Sequence, residues 1–196
     1  MIEAVIIALI IAKIKGYSLK PFFKSWTIYP ILIFEAIYIV FQISIFMGNY
    51  DVVKWAPWFK SIYMYLFLIP IFWYKEYVSA LIGSLFILAG TFLNHIVMAA
   101  NGGQMPAFPS LTYFTGYLKA DTFSKIQDIH MLGDSSVKLK YLSDIIDIGY
   151  TILSVGDILI RVFVVIIIYV TVKKTNEEFK NKKTRLVNWQ NWRNKC

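Results

Sequence analysis

The chain has one cysteine, Cys196, and two histidines, His95 and His130. An intrachain disulfide is excluded, and so is any cysteine-based metal centre. Two histidines alone are too few for a histidine-rich one. No metal and no cofactor is therefore expected. Zinc-ligand spacings, glycine-rich phosphate loops and serine or cysteine triads are missing too, which removes several common enzyme classes. Charged residues are scarce, at 16%. No internal repeat is evident, which argues against an independent secondary transporter.

Apolar residues are abundant instead. They make up 58% of the chain, and mean hydropathy is +0.57. A soluble domain has about 45–50%. This composition points to an integral membrane protein. Thirteen tyrosines and six tryptophans suit the two bilayer interfaces. The formal charge of +8 comes from basic residues beside apolar runs. Anionic lipid headgroups are thus the expected partner, and nucleic acid is not. The N-terminal stretch M-I-E-A-V-I-I-A-L-I-I-A-K lacks the basic start of a secretory signal and reads as a retained anchor.

Five apolar runs cover residues 2–14, 25–48, 59–74, 78–100 and 148–172. The first reaches only about 20 Å as a helix, so it either spans with help from Lys13 and Lys15 or stops short. A lipid-exposed backbone must satisfy its own hydrogen bonds, and strand-like alternation is absent, so the runs are read as helices. The expected fold is an all-α integral membrane bundle of five transmembrane helices, the first one short. Residues 1–172 form the transmembrane domain and 173–196 a basic tail, read as a cytosolic helix. Lys13, Lys15, Lys20 and Lys24, then Lys75, then the basic tail all fall on one side of such a bundle. That side is cytoplasmic by the positive-inside rule, with the N-terminus outside and the C-terminus in the cytoplasm of a bacterial inner membrane. Leu186, Trp189 and Trp192 recur every three residues among the tail's basic groups, a pattern for lying on anionic lipid. The outer loop 101–147 is far longer than an ordinary connection and carries enough aromatic and aliphatic residues to pack. It is expected to hold short helices on the outer face.

Charges at bilayer depth cost about 2.5–3.5 kcal/mol each, so each suggests a role. Glu35, Asp157 and Arg161 are such residues. Asp157 and Arg161 share a helix face, and an Asp157–Arg161 pair would neutralise itself. In the other reading, Asp157 meets a second carboxylate, Asp144 or Asp147, folded back from the outer loop. Two carboxylates sharing a proton can run aspartic proteolysis, one activating water and the other protonating the leaving group. At the outer end of the fourth run, N-G-G-Q-M-P from Asn101 to Pro106 places glycines, amides and a proline together. It reads either as a glycine-type helix cap or as a set of hydrogen-bond donors near Asp157, with Asn94 two helical turns before Asn101. The candidate site is thus Asp144 and Asp157 as catalytic pair, with Asn94, Asn101, Gln104, Glu35 and Arg161 toward substrate.

The N-G-G-Q-M-P box followed by S-V-G-D at Ser154 to Asp157 resembles a bacterial membrane family catalogued as a domain of unknown function, which implies a small multi-span protein. More distantly, Y-L-S-D at Tyr141 to Asp144 and S-V-G-D resemble the two aspartate boxes of lipoprotein signal peptidase, an intramembrane aspartyl enzyme. That resemblance implies Asp144 and Asp157 as the dyad and an asparagine, Asn94 or Asn101, orienting substrate. The chain departs from the peptidase after Asn101, where no Asp-Arg follows, and in the first connection, where only Asn49 matches. Three functions follow. The first is an aspartyl peptidase acting on a membrane-anchored peptide. The others are a non-enzymatic subunit or assembly factor of a transporter or export complex, and a small-solute or ion carrier.

Overall fold

The computed structural model describes residues 1–119, 122–125 and 129–193. In chain order, α1 (Ile2–Ile14) and α2 (Leu19–Phe23) precede a short 3-10 turn, Trp26–Ile28, that leads into α3 (Tyr29–Phe46). Pro30 sits in the first turn of α3, where no backbone N–H is required. Next come α4 (Ala56–Leu66), α5 (Leu68–Tyr74) and α6 (Tyr77–Ala100). The long loop holds β1 (Met105–Ala107), α7 (Leu111–Phe114), α8 (Thr122–Lys125), β2 (His130–Leu132), β3 (Ile146–Asp147) and β4 (Ile152–Leu153). The last helix, α9, runs from Val155 to Arg193.

The molecule is mostly helical, and three helices are long and apolar enough to cross a membrane: Trp26–Phe46, Tyr77–Ala100 and Val155–Leu186. Five were expected. α1 has only 13 residues. The third apolar run is broken into α4 and α5 at Phe67. Pro70 is the physical cause: it has no N–H for the carbonyl of Leu66, where α4 ends, and its ring crowds that carbonyl. Phe67 bonds back three residues, to Met64, which tightens the last turn of α4. Even so, α4 and α5 together run the length of the bundle. At one end Lys60 reaches Asp157, and at the other Tyr74 hydrogen-bonds Ser25 at 2.8 Å while Trp73 packs on Trp26. Next to Lys60, Phe59 stacks on Phe34.

The seam of α6 and α9 is set by glycine. A Cβ on Gly90 would lie 2.4 Å from the carbonyl oxygen of Gly156, and one on Gly156 would lie 2.1 Å from Asn94 Oδ1. Only hydrogen fits at both positions, so the two backbones touch there. Further along, Gly83 makes room for the ring of Phe163. α1 lies on α9 and buries Ala4, Ala8 and Ala12, a stripe of small residues one turn apart. Away from these seams, α6 turns Leu81, Leu85, Leu88 and Phe92 outward, each more than half exposed. A helix with one glycine face and one bare leucine face suits a lipid surround.

The loop differs from the expected set of short helices, because it also forms strands. β1 pairs with β2 in parallel, and β3 pairs with β4 as an antiparallel hairpin. That hairpin takes residues assigned to the fifth helix, 148–172. Gly149, at φ +89°, turns the chain, and α9 begins only after Ser154. Beyond the apolar part of α9 the basic residues continue the same helix, with Leu186 and Trp192 exposed. The side chain of Trp189 and residues 194–196, Cys196 among them, lie outside the described residues.

Candidate carboxylate cleft

S-V-G-D first makes a helix start. Ser154 is the N-cap of α9. Its Oγ accepts from the Asp157 N–H at 2.9 Å, and Asp157 Oδ2 reaches back to the Ser154 N–H at 3.5 Å. This is a capping box with aspartate at the third position. Ser154 Oγ also donates to Asn94 Oδ1 at 2.8 Å, and Asn94 Nδ2 donates to Asp157 Oδ1 at 3.4 Å. Gly156 permits this, since any side chain there would displace Asn94. Lys60 of α4 brings its ammonium to 3.6 Å from Asp157 Oδ1.

Asp144 arrives from the loop, and N-G-G-Q-M-P places it. Gly102 and Gly103 both take left-handed φ, +69° and +89°, and the Gly103 N–H closes on the Met98 carbonyl at 2.8 Å. That is a glycine-type end for α6. The chain then turns into β1. There the Pro106 carbonyl accepts from the Asp144 N–H at 3.1 Å, and the Phe108 N–H donates to the Asp144 carbonyl at 2.9 Å. The same strand registers Met105 against His130. His130 Nε2 thus lies 3.4 Å from Asp144 Oδ2, while Asp144 Oδ1 is buried without a hydrogen-bond partner. Burial pushes the Asp144 carboxyl up to about 7. The negative charge of Asp157 adds to the shift, and His130 opposes it.

Asp144 and Asp157 line one cleft of about 1150 Å³, together with Lys60, Asn94, Gln104 and His130. The remaining candidates lie elsewhere. Asn101 closes the loop, donating to the carbonyls of Val97 and Lys138 and accepting from the Lys138 N–H. Asp147 accepts from the N–H groups of Ser110, Thr112 and Gly149 and from the Thr112 hydroxyl, and is a structural anchor. Arg161 does not pair with the Asp157 carboxylate. Its Nε donates to Glu3 at 2.6 Å and its Nη1 to the Asp157 backbone carbonyl at 3.3 Å. Glu35 lines a second, smaller pocket, where Tyr63 donates to its Oε1 at 2.5 Å.

Lys60 and His130 were missed from the sequence. Lys60 had a signal: it is a charge inside an apolar run, the same criterion that singled out Glu35. His130 had none, because only the strand register brings it to Asp144. Among the described residues, no group of three or more metal-ligating side chains could hold an ion.

The model of DUF5317, a family of unknown function, matches residues 19–169. The chain belongs to this family. The matched stretch contains every cleft residue named above and leaves out α1, hence Glu3. No curated protein and no solved structure matches the chain.

Proposed function

We propose that this DUF5317 protein is an intramembrane aspartyl hydrolase that cleaves a membrane-anchored peptide at the outer face of a bacterial inner membrane. One observation carries the reading: Asp144 and Asp157 line a single open cleft in contrasting environments. Asp144 is buried and keeps its proton toward neutral pH. Asp157 is a partly exposed carboxylate beside Lys60 and Asn94. A buried carboxyl that holds its proton, facing a carboxylate in a more polar setting, suits the roles of acid and base.

In the reaction, Asp157 takes a proton from water as the water oxygen adds to the scissile carbonyl carbon. Asp144 gives its proton to the carbonyl oxygen. The resulting diol returns a proton to Asp144 as the carbon–nitrogen bond breaks, and Asp157 passes its proton to the departing amine. Both carboxyls regain their starting states. Lys60, which also lines the cleft, steadies the negative charge that develops on the carbonyl oxygen before the proton of Asp144 has fully transferred. Orientation follows from the lysines. Those before α3, Lys75 before α6 and the basic run of α9 share one end of the bundle, where Lys174 pairs with Glu76 and Asn176 with Ser18. The cleft is at the other end, which the positive-inside rule places outside.

The carrier reading has less support. Below Glu35 and Arg161 the core closes on buried Phe67, Phe163, Ile167 and Ile168.

The test compares membrane and secreted peptide N-termini in cells carrying the wild-type protein, Asp157→Asn or Asp144→Asn. The expected result is one precursor accumulating in both variants at normal protein level. Unchanged N-termini at equal protein level would overturn the reading.

A further inference from the structure

A second pocket, of about 250 Å³, opens beside the cleft and descends between α3 and α4. Lys60, His130 and Asp157 line both cavities, so the two meet where the proposed reaction takes place. The walls of the smaller pocket are largely apolar and include Phe41, Ile45 and Phe59. Charged side chains line it as well, Glu35 among them. The residue is 4% exposed; Tyr63 holds Oε1, and Oε2 is buried with no hydrogen-bond partner. A buried acceptor left unmade is expensive, and native proteins keep few of them without a role.

The other charges lining this pocket are matched. Lys60 lies against Asp157, Arg161 against Glu3, and the Met1 amine also against Glu3, at 3.2 Å. Glu35 is the one carboxylate lining the pocket that, among the described residues, has a phenol and no cation in direct contact; the Met1 amine and Arg161 act on it from farther off. Its free oxygen is therefore suited to a guest that supplies both a donor and a positive charge.

We propose that this pocket is the specificity subsite of the cleft, and that it takes an apolar stem ending in an ammonium group, which Glu35 Oε2 receives. The inference rests on the hydrolytic reading only in making the guest part of the substrate. For a peptide substrate, the residue beside the scissile bond then carries a lysine-like side chain. The stem lies along Phe41 and Phe59 while the backbone crosses the Lys60–Asp157 mouth.

The experiment uses the full chain in lipid nanodiscs with photoactivatable probes. Each has the same short alkyl stem and ends in an amine, a hydroxyl, a carboxylate or a methyl group. Labelled peptides are mapped by mass spectrometry. The amine probe is expected to label α3 and α4 around Phe41 and Phe59. In Glu35→Gln, which keeps the shape of the side chain, that labelling should fall about tenfold or more, the loss that one charge-assisted hydrogen bond carries. Labelling of the exposed leucines of α6 should stay constant and reports that the variant is folded. Equal pocket labelling by the hydroxyl, carboxylate or methyl probe would overturn the proposal, as would an unchanged amine pattern in Glu35→Gln. Asp157→Asn separates the two ideas. Amine labelling that persists there supports the subsite even if no peptide N-terminus depends on Asp157, and labelling lost there overturns the subsite as drawn.

Discussion

Asp144 and Asp147 are three residues apart, yet the loop gives them opposite environments. Asp147 ends β3 and collects five donors, from Ser110, Thr112 and Gly149. Burial works against its charge, but those hydrogen bonds outweigh it and hold the carboxyl below the usual range. Asp144 sits against β1, is 2% exposed, and has one oxygen without a partner. Its backbone is fully used and its side chain is not. The comparison separates a carboxylate that holds structure from one that is itself held by structure. The second kind is suited to chemistry, because its proton is not committed to the fold.

The largest expected effect is a difference in pH slope. The folded value of Asp144, about 7, is above its unfolded value, so the folded state binds more protons between them. Stability falls as pH rises through the window from about 4 to about 7. Replacing Asp144 with Asn removes that fall. The variant should gain on the wild type by as much as about 4 kcal/mol by pH 8, the order that such a shift implies. Asp147 has the opposite sign. Its folded value is depressed, so its contribution is present above the unfolded value of about 4 and is lost as pH falls through the folded one. Unfolding in mixed micelles from pH 3 to 8 measures both. Parallel curves for wild type and Asp144→Asn would remove the distinction.

A smaller loss is expected for Asp147→Ala at neutral pH. It strips five donors of their acceptor at a partly exposed site, for about 1–2 kcal/mol after screening by solvent. Asp147→Asn should recover part of this, since an amide oxygen still accepts. The readout is the unfolding midpoint, together with the position of Asp144, which the β1 bonds should keep in place. A loss as large from Asp144→Asn at the same pH would mean that both residues are structural.

The sequence carried this fold unevenly. The helix at 78–100 was legible almost to the residue, because a full-length apolar run ends in two glycines. The 2–14 helix was legible from its unbroken apolar run, though not where its Glu3 would go. The third run misled because Pro70 was read as part of an apolar segment rather than as a helix breaker. The 148–154 stretch misled because its glycine turn lies inside an apolar run and the capping signature at Ser154 was read only as chemistry. Asp144 and Asp157 were legible as residues that cost energy to place at the membrane. Their common cleft was not, because it depends on a strand pairing of residues 105–107 with both 130–132 and 144 that no local pattern announces. At Asn101 the structure follows the helix-cap alternative: its side chain is consumed by Val97 and Lys138.

The smallest effect sharpens the comparison most, because it acts on the proton of Asp144 alone. His130 lies at 3.4 Å and opposes the upward shift that burial imposes. It is well exposed, so its removal should leave stability nearly unchanged. His130→Gln should raise the Asp144 value further above about 7, since the opposing charge is gone and burial remains. The protonated carboxyl stretch in infrared difference spectra follows that proton directly, with Asp144→Asn identifying the band. A band that titrates at higher pH in His130→Gln assigns His130 as the group that tunes the acid. If the midpoint falls instead, His130 keeps Asp144 protonated by hydrogen bonding to the neutral form. A midpoint that does not move would make the pair a packing contact, leaving burial and the charges of Asp157, Lys60 and Arg161 to set the proton.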